Sequence, residues 1–450
     1  MLSLGLAWPG VALFDTVRQF EQIRSGTLDD WHPPVMARLW SLFLRAGIPG
    51  TASLFVVQTL LFYAGLALLF GAVPRWRRGV IAGAVAALVI PADWLMVVVK
   101  DAQMIAALTA ATGLVAAFRL RHRPLPAAAV AAVAGLLGYA VLLRANAVFA
   151  VAPLALAWAG WGGVRSGPGR AALLLAATAA VLALGSLVNH DVFAARASHV
   201  ERVLPIYDLA GIAHFGGLAP PRVTATAWAA AAARGCYSPY LWDALGDDRR
   251  CGAIGERIGG ERIGGDGQLF GDWARAIIAD PRAYARHRLA HLNATLRWLV
   301  PWGQPNAAAP PDSQPNAAGL GGGGTWRTRG PAQLARAVAA TPLGWPAVWL
   351  AASLGLWAVA AGTPRGAARD LALSLFVSAS LGTLSFVVVS IASDLRYHLW
   401  AMVATALGGI VLSTAAGVPR RRVVITATVV AIVAGLGLGA RINLPTGAWG

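Results

Sequence analysis

Long apolar runs constrain this chain more than any other feature of its sequence. Each run is near the roughly 17–25 residues that a helix needs to cross a bilayer core; they lie at 51–73, 79–99, 102–118, 125–143, 171–188, 344–362, 371–391, 398–417 and 423–440. Backbone amides in lipid must be satisfied internally, so these runs predict helices rather than open strands. With 57% hydrophobic and 13% charged residues, a water-soluble fold is excluded, because it could not cover so much apolar surface.

The net charge of +17 comes from arginines concentrated in short loops. The clusters fall after every second helix and comprise Arg75, Arg77 and Arg78; Arg119, Arg121 and Arg123; Arg165 and Arg170; Arg365 and Arg369; and Arg420 to Arg422. Positive residues favour the cytoplasmic side of a membrane, so we expect these loops to be cytoplasmic. The segments 15–50, around 100, around 145, 190–343 and 392–398 then face outside, and a nucleic-acid partner is not expected.

The expected fold is an all-α polytopic membrane protein with about 11 transmembrane helices and one extracytoplasmic α-rich domain inserted between them. The run 125–163 is too long for one helix, and Arg144 with Asn146 at its middle predicts two helices joined by an outside turn. Three parts follow: an N-terminal transmembrane module at 1–189, an extracytoplasmic domain at 190–343 and C-terminal transmembrane helices at 344–450. Only about fourteen apolar-leaning residues precede Asp15, which favours an upstream start codon over a short first helix.

The extracytoplasmic domain combines a helical part with a stretch of low complexity. Apolar residues at helical spacing over 267–299 predict an amphipathic helix pair. The segment 301–331 repeats Gln-Pro-Asn-Ala-Ala and contains Gly321 to Gly324, a composition that predicts mobility and no chemistry. Cys236 and Cys251 could form a disulfide outside the cytoplasm, but a chance pair is equally open.

Ionisable residues at helix ends and inside spans are the candidates for function, because they are costly in lipid. Five groups lie on the predicted outer face: Asp15, Asp29, Asp30 and His32, with Pro33-Pro34 following; Lys100-Asp101; Arg144 with Asn146; Asp394, Arg396, Tyr397 and His398; and Pro205 to Asp208. Lys100 is the only lysine of the chain.

These residue types suit a phosphorylated ligand. An ammonium is a compact charge for phosphate, and a guanidinium can bind phosphate through two parallel hydrogen bonds. Each group also has a plainer interpretation, such as a solvated loop, an interface anchor or a lysine that snorkels beside its aspartate.

The run Trp8-Pro9-Gly10, Phe14-Asp15-Thr16, Gln19 and Trp31-His32-Pro33-Pro34 resembles the GT-C glycosyltransferases. These polytopic enzymes are related to protein O-mannosyltransferases and bacterial lipid-A sugar transferases. Further patches are similar to members of the bacterial branch: Lys100-Asp101, Arg144-x-Asn146, Trp273…Pro281…Tyr284…Arg288 and Asp394-x-Arg396-Tyr397. The resemblance is spread over most of the chain in short patches.

The resemblance implies transfer of a sugar, as a hexosyl group, from a polyprenyl-phosphate donor to a lipid or glycan acceptor at the outer face of the bacterial inner membrane. It implies that Asp15 is the general base, with Asp29 or Asp30 as alternatives, and that His32 orients the loop 15–50. By the same resemblance Lys100, Arg144 and Arg396 would bind the donor phosphate. The positioning residues would then be Asp101, Asn146, Asp394 and Tyr397.

Two other classes of protein fit the sequence. A transporter or lipid flippase would use charges inside the spans, and Asp93 beside Trp94 could belong to a proton path. An envelope assembly protein would use the 190–343 domain as a binding module. The many outer carboxylates leave room for a divalent cation, although no set of ligands is specific for one.

Overall fold

The computed structural model of the chain describes residues 2–74, 88–260 and 268–445. This described part is 71% helix and has isolated bridges but no β-strand, which confirms the all-α prediction. The chain divides into two compact units. The first unit holds the described residues of Met1–Arg196, Asn306–Thr383 and Leu395–Gly435, and the second unit holds those of Ala197–Pro305, Leu384–Asp394 and Leu436–Gly450.

The α-helices are numbered in chain order over the described residues. They are α1 (Leu2–Ala7), α2 (Phe14–Ser25), α3 (Pro34–Arg45), α4 (Ala52–Ala72), α5 (Val89–Trp94), α6 (Lys100–Arg119), α7 (Ala127–Leu143), α8 (Val148–Trp158), α9 (Gly167–Leu187), α10 (Val203–Gly216), α11 (Ala225–Ala233), α12 (Asp243–Gly246), α13 (Gly252–Gly259), α14 (Gln268–Ala279), α15 (Pro281–Leu296), α16 (Trp326–Ala340), α17 (Pro346–Ala361), α18 (Ala367–Leu384), α19 (Phe386–Val389), α20 (Leu399–Leu412) and α21 (Arg420–Asn443).

Six helical stretches of the described residues are long and apolar enough to cross a membrane. They are Ala52–Ala72, Lys100–Arg119, Gly167–Val192, Ala367–Val389, Leu395–Leu412 and Arg420–Asn443. Three shorter apolar helices accompany them: Ala127–Leu143, Ala145–Trp158 and Pro346–Ala361. The run 125–163 is thus divided at Arg144, as the sequence predicts. The cluster of Arg75, Arg77 and Arg78 lies outside the described residues. The run 79–99 is described only from residue 88 onwards.

Helices α4 and α6 form the closest helix pair of the first unit. A Cβ atom on Gly65 would lie 2.4 Å from the Thr109 carbonyl oxygen, and one on Gly113 would lie 2.1 Å from the Gly65 carbonyl oxygen. Small residues let two backbones approach in this way inside a membrane. Nearly all of α6 is buried as a result, whereas α9 and α21 keep most of their apolar side chains exposed.

The second unit contains a helix pair at the predicted position, α14 and α15, joined at Asp280. The Asp280 side chain accepts a hydrogen bond from the Ala283 amide and so caps α15, with Pro281 in its first turn. Cys236 and Cys251 form a disulfide within this unit, which resolves the question that their spacing left open.

The low-complexity segment 301–331, for which composition predicts mobility, makes backbone contacts that the sequence did not predict. From Asn306 onwards it belongs to the first unit. The Gly322 amide donates to the Gly10 carbonyl oxygen at 2.9 Å, and the Gln314 amide donates to the Ala12 carbonyl oxygen at 2.9 Å. The Ala309 amide donates to the buried carboxylate of Asp93 at 3.0 Å. These backbone contacts do not depend on an apolar core, which is why composition did not predict them.

Candidate functional site

Two extended segments place Asp15 near Lys100. The Val11 amide donates to the Met96 carbonyl oxygen at 2.8 Å, and the Val98 amide donates to the Val11 carbonyl oxygen at 2.9 Å. The Thr16 hydroxyl donates to the same Val98 residue at its carbonyl oxygen, 2.7 Å away. The first turn of α2, which carries Asp15, is therefore held beside the start of α6, which carries Lys100.

Asp15 and Asp101 are paired with arginines from two other parts of the first unit. Arg396 Nη1 lies 3.1 Å from Asp15 Oδ2. The Nε atom of the same arginine lies 3.8 Å from Asp101 Oδ2. Arg144 forms an ion pair with Asp101 Oδ1. Four segments that are distant in sequence thus supply one cluster of charges.

The Tyr397 ring lies close to both arginines. The guanidinium carbon of Arg144 is 4.1 Å from the centre of the Tyr397 ring, and that of Arg396 is 5.4 Å from it. Cations at these distances are attracted to an aromatic face. Tyr397 therefore interacts with both guanidinium groups of the cluster.

The Lys100 ammonium has no hydrogen bond or ion pair within 4.0 Å among the described residues, although Asp15 and Asp101 act on it electrostatically. The Asp101 Oδ2 atom is buried and also has no hydrogen bond with any described residue. A buried polar atom without a hydrogen bond is costly. The cluster therefore has one cation and one carboxylate oxygen with unused bonding capacity.

The charge of Asp15 is set by its surroundings. Burial raises the pKa of Asp15, but the positive charges of Lys100 and Arg396 outweigh burial and lower the pKa to about 2. The carboxylate is therefore ionised at neutral pH. Three cations, Lys100, Arg144 and Arg396, face the two carboxylates of Asp15 and Asp101, so the formal charge of the cluster is +1.

His32 is buried in the loop between α2 and α3. Burial lowers the pKa of His32 to about 4, and the charge of Lys100 acts in the same direction while Asp15 opposes it. The imidazole is therefore neutral at pH 7. Its Nδ1 atom is buried and has no hydrogen bond among the described residues.

Three predicted residues make their contacts elsewhere or belong to the other unit. Asp30 Oδ2 lies 3.4 Å from His190 Nε2, and Asp29 Oδ1 accepts a hydrogen bond from the Trp31 amide at 3.1 Å. Asp394 belongs to the second unit, where Arg297 interacts with it. Asn146 lies in the 3₁₀ turn that directly follows Arg144 in the chain.

Sequence reasoning missed two glutamines that support the segment before Lys100. Gln58 Nε2 donates to the carbonyl oxygens of Leu95 and Val97, at 2.7 and 2.9 Å. Gln103 Nε2 donates to Gln58 Oε1 at 2.9 Å. Both amides are fully buried. Their signal in the sequence is a glutamine inside an apolar helix, which is costly unless it is hydrogen-bonded.

The second unit has a buried polar network of its own, centred on the predicted residue Asp208. Asp208 Oδ1 lies 2.8 Å from His287 Nε2 and 2.5 Å from an Arg288 nitrogen, and Asp208 Oδ2 accepts from Trp273 at 2.9 Å. His287 Nδ1 in turn lies 2.8 Å from the Tyr237 hydroxyl. These contacts tie α10, α14 and α15 together, and the carboxylate has a full set of partners.

A metal site does not emerge from the described residues, where no group of three or more His, Cys, Asp and Glu side chains could hold an ion. The carboxylates of Asp15 and Asp101 already face arginines. A divalent cation at this cluster would have to displace those arginines.

Comparisons with known proteins add no relative: no family model, no curated protein and no solved structure matches this chain significantly. Any assignment of function must therefore come from the charged cluster itself.

Proposed function

We propose that this chain is a membrane glycosyltransferase that moves a hexosyl group from a polyprenyl-phosphate donor to a lipid or glycan acceptor. The observation that carries the proposal is the convergence of Asp15, Lys100, Asp101, Arg144 and Arg396 in one cluster. A GT-C-like fold with about 11 spans, in the bacterial inner membrane and with the cluster at the outer face, is part of the same proposal.

The charge of the cluster suits the donor. A sugar ester of polyprenyl phosphate carries one negative charge, which complements the formal charge of +1. When the sugar leaves, the phosphate gains a second negative charge. Fixed cations that are already in place stabilise such developing charge without reorganisation. The Lys100 ammonium, which has no ion pair within 4.0 Å among the described residues, is the readiest ligand for it.

Asp15 would accept the proton of the reaction. The acceptor hydroxyl oxygen attacks the anomeric carbon, the bond from that carbon to the phosphate oxygen breaks, and polyprenyl phosphate leaves with the electron pair. The hydroxyl proton passes to the Asp15 carboxylate. A carboxylate with a pKa of about 2 is a weak base. A bound donor phosphate would partly neutralise the positive charges of Lys100 and Arg396. The pKa of Asp15 would then rise for the transfer step.

His32 would contribute as a neutral hydrogen-bonding group. Its Nδ1 atom has no hydrogen bond among the described residues, and its low pKa keeps the ring uncharged at neutral pH. A neutral imidazole can donate one hydrogen bond to a phosphate or sugar oxygen and accept another.

The experiment is a transfer assay with the purified protein in vesicles, a radiolabelled polyprenyl-phosphate hexose as donor and an envelope extract as the source of acceptor. The wild type is compared with Asp15→Asn and Lys100→Ala. Asp370→Asn is the matched control, because Asp370 is half-exposed and paired with Arg369 rather than with the cluster. We expect losses of about 10²–10⁴-fold for Asp15→Asn and near-wild-type transfer for the control.

Full transfer by a correctly folded Asp15→Asn protein would remove Asp15 as the base. A flippase would be favoured instead if the wild type transferred no hexose from any donor tested but moved intact lipid across the vesicle membrane.

A further inference from the structure

A groove on the first unit lies apart from the charged cluster. Helices α6, α7, α8 and α9 enclose about 770 Å³, and the walls are almost wholly apolar. Leu137, Gly138, Trp158 and Leu184 are representative lining residues. The volume is in the range of sites that bind small molecules. Its walls include helices long and apolar enough to span a membrane, so the groove would open towards lipid chains.

The polar groups of the groove lie at one end only. Arg119, at the end of α6, and Arg123, in the turn that follows, are the charged residues among those that line it. The other end is formed by Val141, Leu142 and Val188, which are apolar. An elongated ligand with an anionic head and an apolar body therefore fits in one orientation, with its head at the arginines.

The two arginines differ in how they are engaged. Arg119 donates to the Trp158 carbonyl oxygen and interacts with Asp370, which is itself paired with Arg369 at 2.6 Å. The Arg123 guanidinium has no hydrogen bond, ion pair or ring contact with any described residue. It is exposed at the mouth of the groove and available to an anion.

We infer that this groove binds an anionic phospholipid, with its phosphate on Arg119 and Arg123 and its acyl chains along α7. Basic pockets between transmembrane helices on the cytoplasmic side are known to suit anionic head groups, and the distribution of arginines predicts that this end of α6 is cytoplasmic. A polyprenyl phosphate is the less suitable occupant, because Arg119 and Arg123 lie at the opposite end of α6 from Lys100, where the function proposed above would bind the donor phosphate. Only this argument against a polyprenyl occupant rests on the proposed function; the apolar groove and its two arginines are independent of it.

The test measures lipid binding by the full chain in detergent. Delipidated protein is titrated with dioleoyl phosphatidylglycerol, dioleoyl phosphatidylcholine or undecaprenyl phosphate, and bound lipid is counted by native mass spectrometry. We expect phosphatidylglycerol to bind more tightly than phosphatidylcholine. Affinity for it should fall by about fivefold for each arginine removed in Arg119→Gln and Arg123→Gln. Arg420→Gln is the matched control, since Arg420 is exposed and does not line the groove.

A pair of glycines on α7 tests the apolar part separately. A Cβ atom on Gly138 or on Gly135 would meet nothing within 4 Å, so both positions accept a larger side chain. Only Gly138 lines the groove. Gly138→Trp should abolish retention of phosphatidylglycerol, whereas Gly135→Trp should leave it unchanged, with equal melting temperatures showing that both fold.

Equal binding of the two phospholipids, or unchanged binding by the double arginine variant, would overturn the inference. Preferential binding of undecaprenyl phosphate that is lost in the same variant would also overturn it, because the groove would then be a polyprenyl site.

Discussion

Arg396 Nη1 lies 3.1 Å from Asp15 Oδ2, although 381 positions separate the two residues in the chain. The two side chains are mostly buried. A carboxylate that is removed from water needs a compensating cation, so this pair links the start of α2 to the 3₁₀ turn before α20.

We expect Arg396 and Asp15 to be energetically coupled. A double-mutant cycle of Arg396→Ala and Asp15→Asn, followed by thermal unfolding, should give a coupling of roughly 1–3 kcal/mol, because removal of either partner leaves the other buried. Arg18 and Glu21 provide the control: they are paired at 3.0 Å, but each side chain is 55% exposed. That pair should couple by well under ~1 kcal/mol. Equal coupling in the two cycles would contradict the structure.

We expect His32 to make the protein less stable in acid. Its folded pKa is about 4, below the ordinary value of 6.5. Between these pH values, His32 therefore binds a proton in the unfolded chain but not in the folded chain. The stability is present above pH 6.5, is lost as pH falls towards 4 and amounts to up to roughly 3 kcal/mol.

The measurement is thermal unfolding of the wild type and His32→Gln at pH 7.5 and 4.5. His291 of the second unit also has a pKa lowered by burial, to about 3, so only the difference between the two proteins reports on His32. A difference that does not change with pH would show that His32 is not buried as a neutral ring.

We expect the two buried glutamines to act as one unit. Gln58→Met removes the donor to Leu95 and Val97 and leaves those carbonyl oxygens without it. Gln103→Met removes the donor to Gln58. Each variant should lose about 1–3 kcal/mol of stability. The double variant should lose less than the sum, because the bond between the two side chains is counted in both single variants but is lost only once. Strict additivity would argue against this bond.

We expect glycine at position 322 to be required for the contact between the low-complexity segment and residues 8–12. A Cβ atom on Gly322 would lie 2.6 Å from the Trp8 carbonyl oxygen, and backbone cannot move aside cheaply. Gly322→Ala should therefore lower the melting temperature by several degrees, since overpacking costs about 1–3 kcal/mol. Gly330→Ala is the control, because its Cβ would meet nothing within 4 Å. Indistinguishable melting of the two variants would contradict the contact.

We expect the disulfide between Cys236 and Cys251 to stabilise the second unit by about 3 kcal/mol, because it closes a loop of 15 residues in the unfolded chain. Peptide mapping without reduction should recover the linked pair. The Cys236→Ser and Cys251→Ser double variant should melt at a lower temperature than the wild type, and a reducing agent should destabilise only the wild type. Free thiols in native protein from an oxidising compartment would contradict this prediction.

The sequence predicted the charged members of the cluster, because ionisable residues beside apolar runs are few and costly. Lys100, Asp101, Arg144 and Arg396 were found in this way, and the division of the run 125–163 at Arg144 is confirmed. The charge pattern alone did not distinguish Asp15 from Asp29 and Asp30, and only the resemblance favoured Asp15. In the structure, the pairing of Val11 with the segment around Val97 brings Asp15 towards Lys100, whereas Asp30 lies near His190.

Other parts of the site have no local pattern to read. Gln58 and Gln103 connect α4 and α6 through their side-chain amides. The residues around each glutamine do not indicate which side chain it will bond to. The segment after Asn306 is similar, since its composition indicates a loop but its backbone hydrogen bonds reach Gly10 and Ala12. The count of spans is equally hard to predict, because α7, α8 and α17 are apolar yet short.

The separation of Asp15 and Arg396 also has a consequence for biosynthesis. Asp15 leaves the ribosome 381 residues before its arginine partner. Throughout this interval the nascent chain therefore carries an acidic group whose partner has not been made. The cluster can be assembled only after the segment that carries Arg396 has been made, so a chain that terminates before this segment cannot form it. Quality control that recognises unpaired charge in the membrane would have a means of detecting such a product.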